Sequence, residues 1–159
     1  MAWMDSSTPV TAALDELGVK YRLHLHAGPV RSLEQAARER DLEPAQIVRS
    51  LLFRLEGGQF VLVLMPGPGQ VSWPKLRQHL GVTRLTMATA DEVEDVTGYP
   101  PGAVSPYGLV RPLRLLADRR LTDLTTVSIG AGIRNAGILL EAQDLLRSLQ
   151  PEMGDFTEG

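Results

Sequence analysis

Leu51-Leu52-Phe53-Arg54-Leu55, then Glu56-Gly57-Gly58-Gln59, then Phe60-Val61-Leu62-Val63-Leu64-Met65 is the stretch that decides the fold. Two β-prone runs lie either side of a four-residue polar and glycine-rich link, the pattern of a β-hairpin. Neither run alternates strictly, so both strands are expected to be buried on both faces. Downstream, Pro66-Gly67-Pro68-Gly69 breaks the chain, and Ser72 with Pro74 opens a helix that stops at Gly81. Residues 82–87 read as a strand, and Thr89 with Glu92 forms a capping box for a short helix ended by Gly98. Strand-like runs at 113–117, 125–129 and 138–140 precede a helix over 142–149, after which the tail from Gln150 is expected to fray.

Upstream of the hairpin, Thr8 caps and Pro9 starts a helix over 8–18 whose Val10, Ala13, Leu14 and Leu17 share one face before Gly18 ends it. Tyr21, Leu23 and Leu25 then alternate with Arg22, His24 and His26, which predicts a strand with the aliphatic set inward and both histidines facing solvent. Ser32 and Gln35 cap a helix through about Arg40, and Pro44 opens a short turn running into Arg49. No repeat, low-complexity tract or linker interrupts the chain, and strands and helices do not strictly alternate. The fold class expected is α+β, a single domain with a mixed, largely antiparallel sheet flanked by helices.

At 159 residues, with 43% hydrophobic and 22% charged residues, the chain suits one folded core and not a disordered or fibrous protein. No run reaches the roughly 18–20 apolar residues of a membrane span, and the N-terminus has no basic-then-apolar signal pattern, so a cytoplasmic protein without a membrane partner is the expectation. Cysteine is absent, which removes thiol nucleophiles, Cys-type zinc sites and disulfides. A net charge of -3 argues against a surface coated for nucleic-acid binding, DNA included, and leaves room for a local basic patch. Of the 16 basic residues 14 are Arg, whose planar fork suits phosphate and carboxylate.

Residues 98–108, Gly-Tyr-Pro-Pro-Gly-Ala-Val-Ser-Pro-Tyr-Gly, can form neither helix nor inner strand. They make either a rigid connection or a loop in which Gly102 and its neighbours present backbone N–H groups to a carbonyl or phosphate oxygen. Residues 130–137, Gly-Ala-Gly-Ile-Arg-Asn-Ala-Gly, follow a strand as phosphate-binding loops do, but the short apolar run after them is strand-like, which rejects a dinucleotide cofactor. A glycine-rich hairpin or a pocket wall rimmed by Arg134 remains. His24 and His26 lack a third metal ligand at a diagnostic spacing, so no metal is assigned. Ser105 sits in Ala-Val-Ser-Pro-Tyr and has no nucleophile elbow. Arg49, between Val48 and Leu51, brings a permanent charge to the core edge, where it meets either an anionic ligand or a carboxylate such as Glu43.

Taken together, Gln46-Ile47-Val48-Arg49-Ser50-Leu51, Val63-Leu64-Met65-Pro66, the loop from Thr97 to Gly108, and Ala131-Gly132-Ile133-Arg134 before Leu140 and Asp144-Leu145 resemble the YbaK/ProX family of aminoacyl-tRNA deacylases, relatives of the editing domain of bacterial prolyl-tRNA synthetases. The resemblance spans nearly the whole chain, with residues 1–150 as the editing domain and 151–159 as tail. It implies a barrel-like mixed sheet, hydrolysis in trans of the ester between a wrong amino acid, small or proline-like, and the tRNA 3' end, and neither metal nor cofactor. It implies the aminoacyl-tRNA 3' end as partner, with a synthetase as a further one. In that reading Arg49 and Gly102 are the catalytic residues, and His26, Ala103, Ser105, Pro106, Gly130, Gly132 and Arg134 contact the substrate. The chain departs from the family pattern at Arg49, where members usually carry Lys, at Gly130 and Gly132, where many read Ser-Ala-Gly, at Gly137, near an Asp of some members, and at His26, near a Tyr. A guanidinium stays protonated at ordinary pH, so Arg49 is expected to serve as a fixed cation and not as a general base. A non-catalytic module that binds the aminoacyl-tRNA 3' end is the alternative.

Overall fold

The computed structural model describes residues 7–158. Along the chain run α1 (Pro9–Leu17), β1 (Arg22–Leu25), α2 (Leu33–Glu39), β2 (Val48–Leu55), β3 (Phe60–Pro66), α3 (Trp73–Leu80), β4 (Leu85–Met87), α4 (Ala90–Thr97), β5 (Arg114–Asp118), β6 (Thr126–Gly130), β7 (Ala136–Glu141), α5 (Ala142–Leu149) and β8 (Glu152–Gly154). The hairpin forms with β2 and β3 antiparallel, Leu51 opposite Val63 and Arg49 opposite Met65. Alternate residues of β3 serve two cores, as a doubly covered strand requires. Leu62 and Leu64 join Val10 and Leu14 of α1 and Ile129 and Ile138 of β6 and β7, while Val61, Val63 and Met65 join Leu76 of α3 and Phe156. Each such side chain taken fully out of water contributes about 1.5–3 kcal/mol.

The helix starts follow the sequence. Thr8 caps α1 with Pro9 in its first turn, Ser72 caps α3, and Thr89 with Glu92 forms the capping box of α4. Gly18, Gly81 and Gly98 end these helices in the left-handed conformation. Ser32 caps α2 through the Gln35 N–H, whereas the Gln35 side chain accepts from Arg31 N–H, one residue before the cap.

The strands form two sheets, ordered β1-β7-β6 and β4-β2-β3-β5-β8. Pairing is antiparallel except for β3 with β5 and β5 with β8, so the fold is the single-domain, mixed α+β architecture expected. The barrel-like expectation is corrected: the sheets do not close, and an isolated parallel bridge from Ile47 to Ser128 joins them.

Two further expectations are corrected. The tail does not fray: β8 pairs with β5, Phe156 is buried in the second core, and its N–H donates to Asp118 Oδ2 at 2.9 Å. One aromatic ring in a core and one buried carboxylate suffice to tie down a terminus. On β1 the inward set stops at Leu23, because Leu25 is 56% exposed where the strand leaves its partner β7. Of the two histidines expected to face solvent, His26 does not, since Glu39 and Arg40 at the end of α2 close over it and leave its side chain fully buried, while His24 is half-buried.

Candidate active site

A cavity of about 420 Å³ opens between the start of β2, the approach to α2, the end of β6 and the loop at 98–108. Arg49, Gly102 and Gly130 all line it, so the cation and the stiff loop singled out in the sequence share one hollow. Arg31, Ser32, Arg40 and Ser50 are further polar residues of the wall, and among the described residues no Asp or Glu belongs to it.

Three elements explain why these groups meet. The β2–β3 pairing carries Arg49 on a well-ordered strand, and its Nη2 donates to the Gly69 carbonyl in the Pro-Gly turn after β3. The loop is anchored by Tyr99, whose hydroxyl donates to the Gly108 carbonyl at 3.0 Å and to that of Tyr107, and by Tyr107, whose hydroxyl meets Ser148 Oγ at 2.6 Å. Burial pushes the Tyr99 phenol up to about 12. The end of β6 then lies hard against the loop: a Cβ on Gly130 would fall 2.0 Å from the Val104 carbonyl oxygen. Only glycine permits that approach.

The Arg49 charge is not neutralised. Among the described residues no carboxylate lies within ion-pair distance of Arg49, Arg40 or Arg31, and the Glu43 partner open from sequence is not formed. Burial pulls the Arg49 pKa down from its ordinary value. Arg49 Nε and Ser50 Oγ are the two buried side-chain polar atoms without a hydrogen-bond partner among the described residues. Buried polar groups are nearly always satisfied, so both atoms stand out. Arg49 and Ser50 are consecutive on β2, opposite Met65 and Leu64, so their side chains leave opposite faces of the strand while both residues contribute to the cavity wall.

Other expected site residues lie elsewhere. Ser105 is fully buried and its hydroxyl accepts from Tyr107 N–H, and Ala103 and Pro106 are buried within the loop. Ala103 N–H is spent on the Pro100 carbonyl at 3.0 Å, and its own carbonyl accepts from Gly132 N–H, which pins the β6–β7 turn to the loop. Gly132 faces Tyr99 and Val10, and Arg134 is exposed on the turn. None of these five lines the cavity. His26 reaches it through Arg40, whose Nε donates to His26 Nε2 at 3.0 Å. Sequence reasoning passed over Arg31, Ser32, Arg40 and Ser50. Ser50 stood inside the motif around Arg49, whereas nothing local marks Arg40, which enters the wall only when α2 packs across β7. Among the described residues no group of three His, Asp or Glu side chains is placed to hold a metal ion, and no helix is long and apolar enough to cross a membrane.

A family model described as the aminoacyl-tRNA editing domain matches residues 27–148, which include the whole cavity wall. The chain belongs to that family. This editing domain is 28% identical over 149 residues to the multifunctional Ser/Thr-tRNA deacylase ProXp-y of Escherichia coli K12, covering 91% of this chain and 89% of that one. It is 31% identical over 121 residues to the proline–tRNA ligase of Bacillus licheniformis, of whose length it spans 21%. A solved structure described as a candidate trans-editing enzyme for prolyl tRNA synthetase superposes with a TM-score of 0.87 at 30% identity, covering 97% of this chain and 98% of that one.

Proposed function

We propose that the chain is a deacylase that hydrolyses, in trans, the ester joining a wrongly attached small amino acid to the 3' end of a tRNA. The observation that carries the reading is that Arg49 and Gly102 line one cavity, whose wall among the described residues holds three guanidinium groups and no carboxylate. Such a wall suits the anionic 3' terminus and the negative charge that develops on an ester carbonyl under attack by water. Arg49 holds the terminal phosphate or the carbonyl, and the Gly102 N–H belongs to the oxyanion wall. An aminoacyl ester is labile, and the adjacent ribose hydroxyl can assist water, so positioning and charge stabilisation suffice without a protein base. Arg in place of the family's usual Lys fits this role, because a cation with a forked donor set replaces another cation, with altered reach.

Need for such an enzyme follows from binding energetics. A synthetase pocket separates amino acids differing by one methylene by only about 1–3 kcal/mol, so small wrong cargoes escape and a second sieve is useful. The match to ligases over one part of their length supports a link to a prolyl-tRNA synthetase as partner, and a tRNA substrate is in keeping with work in the cytoplasm. The test is deacylation of a panel of mischarged tRNAs by wild type and Arg49→Ala. Rapid hydrolysis of one or a few, lost in the variant, is the expected result. Equal rates in both proteins would refute the role of Arg49. Tight binding of a non-hydrolysable aminoacyl-adenosine, without turnover of the matching ester, would replace the enzyme by a binding module.

A further inference from the structure

Arg40 is held as no surface arginine would be. Its guanidinium lies flat over Gly137, where a Cβ would come within 2.4 Å of Cζ, so β7 is cut away beneath it. Nε donates to His26 Nε2 at 3.0 Å, Nη1 to Ser128 Oγ at 2.9 Å and Nη2 to the Ala136 carbonyl at 3.1 Å. Arginine nitrogens only donate, so His26 Nε2 accepts, and the network assigns the imidazole proton to Nδ1, which donates to Glu39 Oε1 at 2.6 Å. Gln35 Nε2 in turn holds Glu39 Oε2 at 2.8 Å. Gln35, Glu39 and His26 thus fix the plane of Arg40 as a chain of positioning residues.

The three hydrogen-bond partners of Arg40 are neutral, and the Glu39 carboxylate bonds to the imidazole and not to the guanidinium. A guanidinium has five N–H donors, so one on each terminal nitrogen is left over after these bonds. Arg40 also lines the cavity with Arg31 and Arg49, and among the described residues the wall contains no Asp or Glu. A terminal phosphodiester brings a single negative charge, which leaves cationic character over for the acyl group.

We propose that Arg40 reads the side chain of the esterified amino acid and selects small acyl groups that end in an oxygen, a carboxylate ahead of a hydroxyl and a hydroxyl ahead of a methyl. The assignment rests on the deacylase reading and narrows its substrate class. A polar donor taken out of water rejects a cargo that leaves it unmatched far more strongly than an apolar pocket rejects a missing methylene.

The experiment compares kcat/KM for short RNAs ending in CCA and esterified with aspartate, serine or alanine. Wild type is expected to rank them in that order, with aspartyl ahead of alanyl by at least about 10-fold. Arg40→Met should bring the aspartyl-to-alanyl ratio close to one, and Arg40→Lys should keep its direction at reduced size. The ratio is taken on one preparation, so the fraction of folded variant cancels. Alanyl ester cleaved as fast as aspartyl ester by wild type, or a ratio that survives Arg40→Met, overturns the assignment while the deacylase reading stands. Hydrolysis of none of the three while another ester of the mischarged panel is cleaved overturns the assignment, and hydrolysis of no ester in the panel overturns the deacylase reading instead. In that case the matching non-hydrolysable amides of adenosine decide: tighter binding of the aspartyl amide upholds Arg40 as the reader, and equal binding removes it.

Discussion

Two clusters of basic side chains in this molecule use their charge in opposite ways. At the edge formed by β5 and β8, Arg114 grips Glu152 with two bonds of 2.7 and 2.9 Å, and His79 meets the same carboxylate. Beside them Arg120 pairs with Asp118, and Lys75, Arg119 and Arg120 with Asp155. In the cavity, Arg31, Arg40 and Arg49 have no carboxylate within reach among the described residues. The first cluster spends its charge on the fold, holding the C-terminal strand to the sheet. The second keeps its charge for something outside the chain. The lesson is that the partners of an arginine, and not its presence, separate a structural cation from a binding one. Arg111, Arg114, Arg119 and Arg120, close together in the chain, are therefore weak candidates for tRNA contact, since three of the four are paired and Arg111 lies over the Phe60 ring at 5.8 Å.

The comparison is sharpened by substitutions that should separate activity from stability. Arg49→Ala is expected to lower kcat/KM for the mischarged tRNA by about 100-fold, on the order of 3 kcal/mol of transition-state stabilisation, while thermal unfolding shows no loss of stability. Asp118→Ala should do the reverse. Its buried carboxylate accepts from Arg120 N–H, Phe156 N–H and the Thr157 hydroxyl, so the change should cost about 3 kcal/mol in denaturant unfolding and leave the activity per folded molecule intact. Gly130→Ala forces a methyl against the Val104 carbonyl and should cost roughly 1–3 kcal/mol together with activity, because the loop must move.

Two pH effects come last. Tyr99 has a folded-state pKa of about 12, above its ordinary value of 10.0, so its contribution to stability is whole below pH 10 and drains away as pH rises toward 12. Alkaline unfolding followed by phenolate absorbance should move to higher pH in Tyr99→Phe. Glu152 has the opposite sign: Arg114 holds its pKa down at about 2 against an ordinary 4.5, so its share of stability is present above pH 4.5 and lost as pH falls toward 2. The pair is largely exposed, and Glu152→Gln should cost about 0–1 kcal/mol at neutral pH in a urea titration.

Much of this was legible in the chain. The hairpin and the caps at Thr8, Ser72 and Thr89 follow from local chemistry, because a capping hydroxyl or a turn glycine acts on its own neighbours, whereas a shared site for Arg49 and Gly102, remote from each other in the chain, was implied by the family resemblance alone. What stayed hidden depends on partners remote in sequence. Phe156 and Asp118 hold the tail across 38 positions, and Arg40 meets Ser128 across 88, a contact that no periodicity announces. His26 was picked out, but its role was not, because the helix residues that bury it also turn it from a solvent-facing group into a brace for Arg40. Ser105 and Pro106 drew notice through the loop's composition, which serves the loop's own packing.

Arginine side-chain resonances read the central claim most directly. On titration with a non-hydrolysable aminoacyl-adenosine bearing a 5' phosphodiester, the Arg49 Nε–H signal should shift in step with binding while that of Arg114 stays where it is. Movement of Arg114 with Arg49 unchanged, at a ligand concentration that saturates the protein, would contradict the division between a cavity that holds its charge ready and an edge that has spent it.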